Sequence, residues 1–159
     1  MRAATDRLLA ATTHDPHTAF MVVTEAVWWV TLVDATLVRY HEGDYGRLLA
    51  GLDPAERQEI EDTFGGLRFV RNQMGRQASP DGLICRPTHP GVPADRVAEW
   101  IWNPTCEPER GAQSEPGQYW ELTRHNSYEA QLAGQPIGSS FTRAAAFLQQ
   151  AWAAASTPP

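Results

Sequence analysis

The chain contains no lysine: all 13 of its basic residues are arginine. This is a compositional bias without mechanistic content. Positive charge is also outnumbered, since 19 acidic residues leave a formal charge of −6. Such a balance excludes binding nucleic acid through the overall field, so any phosphate contact has to come from a local cluster. Cysteine is nearly missing. Cys85 and Cys106 cannot build a disulfide framework, and they fit a reducing cytoplasm. The N-terminus carries Asp6 and no continuous apolar run, so no signal peptide is expected. Long charge-free apolar runs are missing as well. The nearest approach, residues 19–38, holds Glu25 and Asp34, and each acid near a bilayer centre costs about 2.5–3.5 kcal/mol. A buried helix of a soluble protein is therefore expected, with no membrane contact. No internal repeat, glycine-rich phosphate loop or nucleophile elbow is visible.

What is present is an ordinary globular composition, 42% hydrophobic and 20% charged. The length suits one domain, 1–159, able to bury roughly 70% of its unfolded surface. Residues 2–12 read as a short helix or a frayed arm. Asp15-Pro16 is a strong helix start, and the helix should run to Tyr40. Phe20, Val23, Val27, Val30 and Leu37 make one apolar face; Met21, Trp28, Leu32 and Ala35 make another. A helix apolar on both sides is central to its bundle or lies in a subunit interface. Asp34 shares the first face, and so requires a buried partner.

His41–Gly51 reads as a turn with a helical fragment. Asp53-Pro54-Ala55-Glu56 opens a further helix with capping-box spacing, which Gly65-Gly66 should interrupt, through close packing or a kink. Between about 78 and 118 helical periodicity gives way to proline and glycine. Leu83-Ile84-Cys85 and Ala98–Trp102 read there as a small β-hairpin or pair of strands, and Glu107–Gly117 as a linker. Helix returns near Tyr119 and should end at Ala133, with Gly134 as its C-terminal cap. A last helix opens at Ser139 or Ser140, with Phe141, Ala144, Leu148 and Ala151 or Trp152 along one stripe. The expected fold is mainly α: a helical bundle with a small β-hairpin insertion before the C-terminal helices.

The chemically informative stretch is Gly65–Gln77. Ile60, Phe64, Leu67, Arg71 and Met74 are spaced four, three, four and three residues apart, which aligns them on one helix face. An arginine on such a stripe requires an anion or a set of acceptors. Asn72 follows it, able both to donate and to accept. Arg68 and Arg76 complete a short basic cluster.

Arg71-Asn72-Gln73-Met74-Gly75 resembles the motif of the HEPN family of helical proteins, many of them metal-independent ribonucleases. The family motif is an arginine, a polar residue and, four to six positions on, a histidine. The resemblance implies a helical domain, Arg71 and Asn72 as catalytic positions, and Arg68, Arg71 and Arg76 as phosphate ligands. It also implies Glu25 and Asp34 in support, a homodimer, and RNA or a nucleotide as ligand in a defence or toxin–antitoxin setting. No metal or other cofactor is implied. The histidine position is occupied by Arg76, however, and position 78, tyrosine in some members, by alanine. A guanidinium stays protonated above pH ~12 and cannot act as general base. The chain keeps the anion-gripping half of the motif without the proton-transfer half, so weak or no ribonuclease activity is expected.

The residues leave other readings open. Arg71 pairs with Asp34 or Glu25 as a purely structural cation in a regulatory or protein-interaction domain, or the chain is a small-molecule enzyme with a pocket beside the insertion. Cys85, His89 and Cys106 lack the paired spacings of a zinc site. His125, four residues from both Glu121 and Glu129, reads as part of a solvated face. Trp28, Trp29, Trp100 and Trp102 could stack bases, although tryptophans in a small domain more often serve core or interface.

Overall fold

The computed structural model describes residues 15–75, 82–86, 99–106 and 115–156. The expectations for residues 2–12, Arg76, Ala78 and His89 lie outside them. Five helices and a two-stranded antiparallel ladder make up the described chain. In order they are α1 (Pro16–Tyr40), α2 (Glu42–Gly51), α3 (Pro54–Met74), β1 (Ile84–Cys85), β2 (Ile101–Trp102), α4 (Glu115–Gln131) and α5 (Ile137–Ala155). The mainly α bundle with its hairpin before the C-terminal helices is the architecture that the patterning predicts.

Helix starts follow local chemistry. The Asp15 carboxylate accepts from the Thr18 amide at 2.8 Å, with Pro16 in the first turn. Asp53 accepts from the Ala55 and Glu56 amides at 2.9 and 3.0 Å, ahead of the proline of α3. Each cap satisfies amides that the helix itself leaves without acceptors. Gly134 closes α4 with a φ of +72°, a left-handed conformation that glycine adopts without a Cβ penalty.

Boundaries differ from expectation in four places. The His41–Gly51 stretch is a ten-residue helix, α2, rather than a turn with a fragment. Helix α4 begins at Glu115, inside the expected linker, and α5 at Ile137. Of the two alternatives at the end of the α5 stripe, Ala151 is buried and Trp152 turns to solvent, and Phe147 joins the buried row. Helix α3 runs without interruption through Gly65-Gly66.

Those two glycines let α3 and α4 meet almost backbone to backbone. A Cβ on Gly65 would lie 2.6 Å from Ser127 Oγ and 2.7 Å from its Cβ; one on Gly66 would lie 2.9 Å from Leu132 Cδ1 and 3.1 Å from Tyr128 Cα. Close packing is thus the reason for the pair. Ser127 Oγ then donates to Asp62 at 2.8 Å across the seam.

Ile84 pairs with Trp102 and Cys85 with Ile101. The hairpin docks on the α4–α5 turn through Trp102 N to Gln135 O, 3.1 Å, and Gly134 N to Trp102 O, 3.0 Å. Trp102 is fully buried, its indole N–H donating to Ser140 Oγ at 2.9 Å. It is a core residue and has no face to offer a base. His125 is likewise enclosed rather than solvated. It packs against Phe69 and Tyr128, with Nε2 3.0 Å from the Cys106 carbonyl.

Two glycine-to-alanine changes should have opposite signs. Gly46, in α2, has open space around its Cβ position, so Gly46→Ala should stabilise by up to ~1 kcal/mol through helix propensity. Gly65→Ala gains the same propensity but forces the helices apart, for a net loss of about 1–2 kcal/mol. Urea unfolding of the two variants checks both signs.

Candidate anion-binding site

The first requirement read from the sequence was a partner for Asp34, and the structure supplies two. Asp34 is completely buried on α1. Arg68 of α3 forms an ion pair with its Oδ2, and the Tyr45 hydroxyl of α2 donates to Oδ1 at 2.7 Å. Both carboxylate oxygens are thereby satisfied, which is the condition for keeping a charge inside. The expected partner, Arg71, is not the one used. On α3, Arg68 lies one turn beyond Phe64, and Val38, Tyr45, Phe64 and Arg68 line a common cleft of about 210 Å³. Arg71 sits nearly another turn along, past the level of Asp34. The cleft is smaller than the ~300–1,000 Å³ of small-molecule sites, and it lies away from the hairpin where a substrate pocket was considered.

Glu25 does not join this pair. Nine residues at 100° each turn it to the opposite side of α1 from Asp34, about 13 Å along the axis.

A second polar seam lies between α3 and α4. Glu121 is buried, and its carboxylate accepts from Gln73 Nε2 at 3.0 Å and, more weakly, from Asn72 Nδ2 at 3.4 Å. Asn72 is therefore engaged with a carboxylate and not turned toward Arg71. Gln73 is fully buried, and its Oε1 has no donor among the described residues. Arg124, one turn after Glu121 on α4, is half-buried. Burial holds its pKa below the ordinary guanidinium value; the Arg68 charge and, less strongly, that of Arg71 add to this, while Glu121 opposes them. The group remains a cation.

Arg68, Arg71 and Arg124 thus form one electrostatic cluster at the α3–α4 edge. Arg68 is matched by Asp34. Arg71 is half-buried, as Arg124 is, and among the described residues neither has a hydrogen-bond or ion-pair partner. Two half-buried, mutually repelling guanidiniums thus stand near one another, with the Glu121 carboxylate partly offsetting the repulsion at Arg124. Among the described residues, no three of His, Cys, Asp and Glu gather as metal ligands.

Of the expected site residues, Arg68, Arg71 and Asn72 come together on α3. Asp34 meets Arg68, Glu25 stands apart, and Arg76 lies outside the described residues. Sequence reasoning missed Arg124, Gln73, Glu121 and Tyr45. A signal for two of them exists: Tyr128 and Leu132 define the buried row of α4, and stepping back by four and seven residues from Tyr128 gives Arg124 and Glu121. Comparison with protein-family models, curated proteins and solved structures finds no match for this chain.

Two predictions follow from the ion pair and its surroundings. Arg68→Met leaves a buried carboxylate with only the Tyr45 hydroxyl. It should cost about 3 kcal/mol, the low end for breaking a buried pair, because Arg68 is a third exposed; Tyr45→Phe should cost about 1–2 kcal/mol. Denaturant unfolding reads both.

Alkaline pH should also destabilise the fold. Burial pushes the Cys106 thiol up to about 11. Burial and then the Asp34 charge push the Tyr45 phenol above its ordinary value, and burial does the same for Tyr128. With folded values above unfolded ones, these contributions are complete below the unfolded values, about 8.5 for Cys and 10 for Tyr. They are lost as pH rises further. The melting temperature should therefore fall from about pH 8.5 upward, and because burial also raises the Cys85 thiol, Cys106→Ala should reduce the part of that slope below pH ~10 without abolishing it.

Proposed function

We propose that this chain is a divergent HEPN-like protein that binds a phosphate of RNA or of a nucleotide between Arg71 and Arg124, with weak or no ribonuclease activity. The observation that carries the reading is the pair of half-buried guanidiniums with no partner among the described residues. A planar fork can hold two phosphate oxygens at once, and two forks from different helices can clamp one group from both sides. Arg68, held by Asp34, adds field rather than contact. The cluster holds three guanidiniums against the carboxylates of Asp34 and Glu121, a local positive excess on an acidic protein. The cleft beside Arg68 is small, which suits one phosphate of an extended strand better than an engulfed small molecule.

The proton-transfer half of a ribonuclease is not supplied by these residues. His125 is turned to the Cys106 carbonyl, and Asn72 is bonded to Glu121. Binding without cleavage is the consequence, and a defence or toxin–antitoxin role is the setting that the family resemblance suggests.

The test uses a fluorescently labelled single-stranded RNA and, in parallel, ATP. Binding at 50 mM salt should weaken about tenfold in each of Arg71→Ala and Arg124→Ala, the ~1.4 kcal/mol of a lost charge-assisted contact. The slope of log K against log salt should fall by about 0.7 per arginine removed. Unaltered affinity in both variants, or no binding by the native protein, overturns the reading. Cleavage appearing in Arg76→His identifies a site that has lost its base; inactivity in both forms removes the nuclease lineage as an explanation.

A further inference from the structure

Given phosphate binding at Arg71 and Arg124, on which this rests, we propose that Trp120 is the stacking platform for the adjoining nucleobase of a single-stranded nucleic acid. Trp120 lies near the start of α4 and is 57% exposed. An indole so open to water forgoes the apolar burial that large aromatic side chains ordinarily supply. The other five tryptophans do not fit the role. Trp102 is buried, and Trp100 already has the Arg86 guanidinium 4.8 Å from its ring centroid. Trp28, Trp29 and Trp152 are exposed, but they stand on α1 and α5, which carry none of the arginine cluster.

Helix geometry brings Trp120 to that cluster. Arg124 follows it by four residues, so the two side chains leave one face of α4, about 6 Å apart along the axis. The bonds from Asn72 and Gln73 to Glu121, with Gly65 packed on Ser127, show that α3 and α4 run antiparallel here. Arg71 therefore stands level with the α4 turn that holds Trp120 and Arg124, and Trp120 lies level with the end of α3 at Met74. Tyr119 braces the indole, its ring centroid 5.5 Å away at an interplanar angle of 73°. That contact restricts the ring while leaving more than half of it accessible, so part of the ordering cost is met before a ligand arrives.

Arginines alone would accept any small anion. A neighbouring indole favours an anion that carries a base, and it does so for every base, because each has a π-face. Tryptophan and arginine also serve protein interfaces. Leu122, however, is two positions from Trp120 and so on the far side of the helix. The apolar surface on the Arg124 side is one ring wide, which suits a single base better than the core of an interface.

Fluorescence anisotropy at ~50 mM salt tests the platform with two labelled probes, an oligoadenylate of ~8 nucleotides and an abasic sugar–phosphate strand of equal charge. The native protein should bind oligoadenylate about tenfold more tightly than the abasic strand. Trp120→Ala should erase that preference, and Trp120→Phe should retain most of it. Neither should change the salt slope, which Arg124→Ala lowers by about 0.7. Equal binding of the two strands by the native protein, or an oligoadenylate affinity indifferent to Trp120→Ala, overturns the platform. The phosphate reading then still stands if Arg71→Ala weakens both strands. Binding of neither strand by the native protein overturns both readings and leaves the exposed ring to a protein contact.

Discussion

A buried carboxylate governs the arrangement of the first three helices. Asp34 lies wholly inside the protein, so each of its oxygens demands a donor, and those donors come from two other helices. Arg68 reaches it from α3 and Tyr45 from α2. Because an unpaired charge at that depth would be prohibitively costly, the three helices have one arrangement that satisfies it. Apolar packing alone would leave their rotation and register less sharply defined. The short α2, which has no fully buried residue of its own, is held by this hydroxyl and by the edge-to-face contact of Tyr45 with Phe147.

The second constraint is the close approach of α3 and α4 at Gly65 and Gly66. It lets Ser127 and Asp62 bond across the seam, and in the same seam Gln73 and Asn72 reach Glu121. The polar groups that make up the candidate site are thus a consequence of backbone proximity created nearly two turns away. Arg71 and Arg124 occupy the edge of that contact. They cannot separate without pulling apart the glycine seam, and they cannot lose their charge.

A third feature follows from the length and composition of α1. A 25-residue helix in a domain of this size has more apolar surface than one core can cover. Its inward valines meet α3 and α5, and its outward face, with Trp28 and Leu32, is left over. The arginine cluster lies on α3 and α4, whereas this face belongs to α1 alone.

Much of the fold was legible because its signals are local. Asp15-Pro16 and Asp53-Pro54 mark helix starts through hydrogen bonds within three residues, and Gly134 marks an end through its own backbone. The need for a partner at Asp34 was equally plain from residue type and helical spacing. Tertiary structure alone decided that Arg68, rather than Arg71, meets Asp34, since that depends on where α1 crosses α3. It alone decided that His41–Gly51 coils fully, because Tyr45 has a distant carboxylate to hold. Arg124, Gln73 and Glu121 joined the site for the same reason: they lie about fifty residues from Arg71 or face inward from its own helix, and no local pattern records which helix faces align. The sequence by itself determined which groups required partners; the packing of helices determined which partners they met, because spacing along a chain fixes a face but not what that face meets.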